Sequence, residues 1–208
     1  MAETLVKTCG ITSREDAVAC HELGADLLGL VFAFSPRRVT IAQAREIRAA
    51  VPDARLVGVC VDEPLEALIA LARECRLDLL QLHGTESPEY CREAAQRSGL
   101  PMVKAVRGGN GAGADLDVWR GLYGLLFDTE KGAAPPADGL DALWSRAAAA
   151  REQGHRVFLA GALGPDNVAA AVQRVRPHCV DVARGVERAP GVKNHDLVAR
   201  FLEEVRGA

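Results

Sequence analysis

No apolar run in this chain approaches the roughly 20 residues that a helix needs to span a bilayer, which argues against a helical membrane protein. The six cysteines (Cys9, Cys20, Cys60, Cys75, Cys91 and Cys179) are scattered, and no CxxC pair occurs. Disulfide scaffolds belong to short secreted chains, so this spacing in 208 residues speaks against one. The five histidines are dispersed and none pairs at ligand spacing, so no metal site is expected. An excess of one charge is lacking too: a net charge of −3 gives no electrostatic reason to expect nucleic acid as a partner. Met1-Ala2-Glu3-Thr4 leads straight into the first apolar run, leaving no room for a signal peptide. A soluble, cytoplasmic protein is the expectation.

What the chain does contain is repetition. Eight short apolar runs, at 5–9, 27–32, 56–61, 78–82, 102–106, 123–128, 157–160 and 179–183, each lead into a helix-like or glycine-rich stretch. Strand-like runs alternating with helical ones predict βαβ units and a parallel sheet. Eight units predict closure into a (β/α)8 TIM barrel, an α/β fold, as a single domain over 1–208. Helices are expected at 14–23, 41–50, 65–76, from Pro88 onward, and at 140–153, 165–175 and 194–205. Thr40 and Ser87 are N-cap candidates, and Gly24 is a stop. Two connections, 108–113 and 131–139, are rich in glycine, alanine or proline and read as loops.

In such a barrel the chemistry sits at the carboxyl ends of the strands. The first run ends in Lys7-Thr8-Cys9-Gly10, where Gly10 allows a sharp turn beside the thiol. A nearby positive charge would lower the thiol pKa and make Cys9 a good base, and Lys7, two residues back, faces the same side. The alternative for Cys9 is a buried strand cysteine, the expected state of Cys60 and Cys179. The sixth run ends in Asp128, which partial burial can keep protonated as a general acid; helix capping is its alternative role. Arg37, stiffened by Pro36, can grip a carboxylate through two parallel hydrogen bonds. His83 stands at the rim of strand four, as a substrate contact or a structural residue. The turns Gly161-Ala162-Leu163-Gly164 and Asp181-Val182-Ala183-Arg184-Gly185 are candidate anion sites, because small residues let backbone N–H groups approach a phosphate.

Together these residues resemble the phosphoribosylanthranilate isomerase family. The likeness is carried by Val6-Lys7-Thr8-Cys9-Gly10-Ile11-Thr12, Ser35-Pro36-Arg37, Gln81-Leu82-His83-Gly84, Asp128, Leu159-Ala160-Gly161, Pro165-Asp166-Asn167-Val168, Gly185-Val186-Glu187 and Pro190-Gly191-Val192-Lys193. The resemblance implies a cofactor-free Amadori rearrangement of N-(5′-phosphoribosyl)anthranilate in tryptophan biosynthesis. It implies Cys9 as the general base at C2′, Asp128 as the general acid at the ring oxygen, and Arg37 on the anthranilate. It also implies a small phosphosugar substrate held by a monomer or homodimer.

Three stretches depart from the family pattern. A glycine-threonine or glycine-serine loop is replaced after Asp128 by Lys131-Gly132-Ala133-Ala134-Pro135-Pro136. A Gly-Gly becomes Gly161-Ala162, and a Ser-Ser-Gly becomes Ala183-Arg184-Gly185. Two hydroxyls are lost and a cation is gained where a phosphate would sit. A recruited enzyme acting on another aminosugar or aromatic acid, and a non-catalytic binding barrel, therefore stay open as alternatives.

Overall fold

The computed structural model describes residues 3–106, 115–129 and 137–208. Eight parallel strands close in chain order: β1 (Leu5–Cys9), β2 (Leu27–Val31), β3 (Arg55–Cys60), β4 (Leu79–Leu82), β5 (Met102–Val106), β6 (Gly124–Phe127), β7 (Val157–Leu159) and β8 (Cys179–Val182). Each lies within a residue or so of its apolar run. Barrel strands are buried on both faces, so they read as continuous hydrophobic segments rather than alternating ones.

Around the barrel run α1 (Arg14–Glu22), α2 (Ile41–Ala50), α3 (Leu65–Glu74), α4 (Pro88–Ser98), α5 (Ala137–Glu152), α6 (Val168–Val175) and α7 (His195–Arg206). The caps follow the sequence. Thr40 forms a reciprocal capping box with Gln43, Ser87 accepts from the Tyr90 N–H with Pro88 at the first helical position, and Gly24 turns the chain at φ +100°. Two expectations need correction, and a third is not tested. After β5 the described residues hold only a 3₁₀ turn, Leu116–Trp119, and the expected 108–113 loop lies outside the described residues. The expected 131–139 loop gives way to α5 already at Ala137, and 131–136 lie outside the described residues. The helix expected from Pro165 begins at Val168, because Asn167 is spent bracing the preceding loop.

One further element was not foreseen: a hairpin of β9 (Glu187–Ala189) and β10 (Val192–Lys193), which follows β8. It docks on the start of the chain. Thr12 donates to the Gly191 carbonyl, the Lys193 N–H donates to Asp16, and His195 pairs with the other oxygen of Asp16 at 2.8 Å.

The barrel interior has two levels. Leu27, Val57, Leu79, Val103, Leu126, Phe158 and Cys179 fill the lower part as an apolar plug. Above them, the inward positions of the strands and of the residues just after them become polar: Lys7, Cys9, Gln81, His83, Asp128 and Asp181. The outward faces pack against the helices in a larger apolar layer. Among the described residues no helix is long and apolar enough to cross a membrane.

Candidate active site

The upper level of the barrel is built around Cys9. Cys9 ends β1 opposite Gly29 of β2, and Gly10 (φ +77°) then turns the chain through the left-handed region that glycine tolerates. Gly29 is essential to the arrangement. A Cβ there would lie 2.8 Å from Cys9 Sγ and 2.9 Å from Lys7 Nζ, so the missing side chain is the space these two groups occupy. Lys7 is fully buried and donates to Asp181 Oδ2 at 2.9 Å, directly across the β1–β8 pairing. Asp181 Oδ1 is buried without a partner among the described residues.

The expectation that positive charge lowers the Cys9 pKa needs correction. Burial pushes the thiol above its ordinary value, and the Lys7 ammonium offsets only part of that rise, with Asp181 acting against it. Burial alone would lower Lys7, yet Asp181 and Cys9 hold it above the usual lysine range, so it is a permanent cation. Burial acts on the other cysteines in the same direction and drives Cys20, Cys60 and Cys91 up to about 12.

Asp128 follows β6 and is half-buried. His83 Nε2 lies 3.5 Å from Asp128 Oδ2, and the Gln81 amide lies 3.2 Å from His83 Nδ1. With Gln81 donating to Nδ1, a neutral His83 carries its proton on Nε2, facing the aspartate. The chain around Asp128 depends on Gly161 (φ +87°), where a Cβ would lie 2.8 Å from the Thr129 nitrogen.

Arg37 does reach the mouth, but its fork is already engaged. Nε donates to Glu187 Oε1 at 2.8 Å and Nη2 to Oε2 at 2.6 Å. Its stem lies over Gly10, whose Cβ would stand 2.5 Å from Arg37 Cδ. Glu187 also accepts from Lys193 Nζ at 3.0 Å, and Lys193 donates in turn to the Cys9 carbonyl. Burial pushes the Glu187 carboxyl up, but the Arg37 and Lys193 hydrogen bonds outweigh it and hold the group below the usual glutamate range. One guanidinium edge is thus committed, and among the described residues Nη1 makes no hydrogen bond.

The two small-residue turns meet above β7 and β8. A Cβ on Gly185 would stand 2.0 Å from the Leu163 carbonyl oxygen, so the turns touch backbone to backbone. Asn167 fixes the first turn by accepting from the Gly164 N–H and donating to the Ala162 carbonyl. Ala162 takes φ +53°, a left-handed conformation that suits the glycine of the family pattern better. Ala183 is half-buried; Arg184 is exposed and has no ion pair with another described residue.

The family model described as N-(5′-phosphoribosyl)anthranilate (PRA) isomerase matches residues 6–204. The chain belongs to the PRA isomerase family. A Trichlorobacter lovleyi protein named N-(5′-phosphoribosyl)anthranilate isomerase is 42 % identical over 205 residues, 98 % of each chain. The crystal structure of phosphoribosyl anthranilate isomerase from Thermotoga maritima superposes with a TM-score of 0.88 at 36 % identity, covering 99 % of this chain and 100 % of that one. A further structure of the enzyme, in complex with reduced 1-(o-carboxyphenylamino)-1-deoxyribulose 5-phosphate, gives 0.82 at 34 %, with 99 % and 100 % covered.

Within this PRA isomerase barrel, the structure brings Cys9, Asp128, His83 and Asp181 to one interior level and Arg37 to its edge. The turns with Gly161, Ala162, Ala183, Arg184 and Gly185 form a separate patch over β7 and β8. Sequence reasoning assigned no role to Gly29, Gln81, Glu187 or Lys193. Glu187 and Lys193 were visible only as polar residues inside matched motifs. Gly29 carried one usable signal, a glycine interrupting the apolar run Leu27-Leu28-Gly29-Leu30, the mark of a close approach.

Proposed function

We propose that this barrel isomerises N-(5′-phosphoribosyl)anthranilate, the compound for which its family is named, with Cys9 as the general base and Asp128 as the general acid. The enzyme is an aldose–ketose isomerase of tryptophan biosynthesis. The observation that carries the assignment of roles is the pairing of an interior thiol at the end of β1 with an interior carboxyl after β6, both at the carboxyl rim.

The steps follow from that pairing. Asp128 gives its proton to the ring oxygen as the bond from that oxygen to C1′ breaks, while the anthranilate nitrogen lone pair forms the C1′=N bond. Cys9 then takes the C2′ proton, the C2′–H electrons become the C1′=C2′ double bond of an enolamine, and the C1′=N electron pair returns to the anthranilate nitrogen. Transfer of the C2′ hydroxyl proton to C1′ yields the ketone. Each positioned proton transfer contributes about 10²–10⁴-fold, so orientation must supply the rest. The free edge of Arg37 holds the anthranilate carboxylate, Asp181 Oδ1 accepts a sugar hydroxyl, and His83 steadies Asp128. The turns around Ala162 and Arg184 take the phosphate through backbone N–H groups and the Arg184 charge. The ligand in the related complex carries the same carboxyphenylamino and phosphate groups at its two ends, which supports this division.

The barrel acts as one domain, cytoplasmic, as a monomer or homodimer. Complementation of a tryptophan auxotroph lacking this isomerase tests the activity. Growth without tryptophan is expected from the wild-type gene, and failure of a well-expressed protein to restore it would overturn the reading.

A further inference from the structure

We infer that Lys7 is a positioning residue for the base: its buried ammonium, clamped by Asp181 and admitted by the missing side chain of Gly29, is the fixed counter-ion that permits a thiolate at Cys9. This rests on the reading of Cys9 as the general base and adds the device that makes such a base possible.

The argument begins from burial. A lysine with no exposure at the centre of a barrel is costly unless it is paired. Lys7 has Asp181 for a partner, yet a structural ion pair would not require a glycine beside it. Gly29 leaves room for Lys7 Nζ and Cys9 Sγ at 2.9 and 2.8 Å from a single point, so both groups crowd the space that a side chain on β2 would fill. The ammonium is therefore held by a carboxylate and faces the same space above Gly29 as the sulfur.

The charges around Cys9 support the same account. From β1 comes Lys7, from β8 Asp181, from β10 Lys193 against the Cys9 carbonyl, and from the loop after β2 Arg37, whose charge Glu187 shares with Lys193. Desolvation works against a thiolate here, and Lys7 is the largest influence in its favour. The proton balance is simple. The Cys9 thiol releases its proton to water, the thiolate later takes the C2′ proton, and Lys7 keeps its three hydrogens throughout.

The test is the pH dependence of Cys9 alkylation by iodoacetamide in the whole enzyme, read by mass spectrometry of the Cys9 peptide. The other five cysteines are buried, so Cys9 reacts first. Lys7→Met is expected to slow alkylation at pH 8 by about tenfold or more, since one pKa unit is tenfold in thiolate. Asp181→Asn removes the opposing negative charge and is expected to speed it. Opposite signs are the signature, because simple loosening of the barrel would expose Cys9 and accelerate both. The double variant Lys7→Met/Asp181→Asn leaves no orphan charge, so it folds where a single one fails, and it too should react more slowly than wild type. An unchanged profile in the Lys7 variants, or shifts of the same sign in both single variants, would overturn the inference. Alkylation reports the thiolate whether or not Cys9 is the base. Full turnover by Cys9→Ser would instead remove the base reading and leave the alkylation result standing.

Discussion

Replacing Gly29 with alanine would test the construction of the mouth without removing any functional group. The added methyl would stand 2.8 Å from Cys9 Sγ, 2.9 Å from Lys7 Nζ and 3.0 Å from Cys9 Cα. Relaxed contacts between carbon atoms need about 3.5–4.0 Å, so each neighbour must retreat by roughly 0.5–1 Å. None can do so freely: Lys7 is buried and tied to Asp181, and the third contact is β1 backbone. Overpacking of this kind costs about 1–3 kcal/mol, which a domain with about 5–15 kcal/mol of stability survives. Activity should suffer far more, because misplacing a reacting group by about 1 Å can cost on the order of 10²-fold. Gly58→Ala is the control. Its methyl would press on Leu77 Cδ1 at 2.4 Å, on the outward face of β3 and away from the thiol. Urea unfolding should show both variants destabilised to a similar degree. Steady-state kinetics should show kcat reduced by about 10²-fold in Gly29→Ala and near wild type in Gly58→Ala. Equal kcat values in the two variants would refute the reasoning.

Three further outcomes follow from the same geometry. Arg37→Ala should weaken binding of a carboxylate-bearing product analogue by about 1.5–3 kcal/mol and leave a ligand lacking that carboxylate unaffected; equal losses would make Arg37 a structural partner of Glu187. Arg184→Ala and Arg184→Ser should both weaken inhibition by a phosphate-bearing analogue, with a loss that shrinks as salt screens the charge; unchanged inhibition would place the side chain in solvent. The folded-state pKa of Glu187 is depressed, so its stabilising contribution is complete above the unfolded value near 4.3 and disappears as pH falls through the folded one. Urea midpoints of wild type and Glu187→Gln should therefore differ at pH 7 and converge toward pH 3, and a constant gap would contradict the assignment.

The sequence made the barrel legible because its strands are buried on both faces, and a run such as Leu125-Leu126-Phe127 stops where a polar residue takes over. That same boundary exposed Cys9 and Asp128. What escaped the reading depends on contacts across the fold. Arg37 and Glu187 stand 150 positions apart, and nothing local to either announces the pair. The β9–β10 hairpin is too short and too polar to register as strand. The thiol's upward shift arises from burial, which outweighs the nearby lysine that the motif makes conspicuous. Gln81 takes its meaning from His83 and Asp128, which lie beyond it and are reached only when β4 and β6 stand in one barrel.

The central claim is that Cys9 and Asp128 move the two protons of one isomerisation. The most direct measurement follows conversion of freshly prepared N-(5′-phosphoribosyl)anthranilate by wild type, Cys9→Ser and Asp128→Asn, alongside the Kd of each for a product analogue. Wild type is expected to turn over, and each variant to lose at least about 10² in kcat while binding the analogue nearly as well. Absence of wild-type turnover, or a variant with near-normal kcat, would contradict the account.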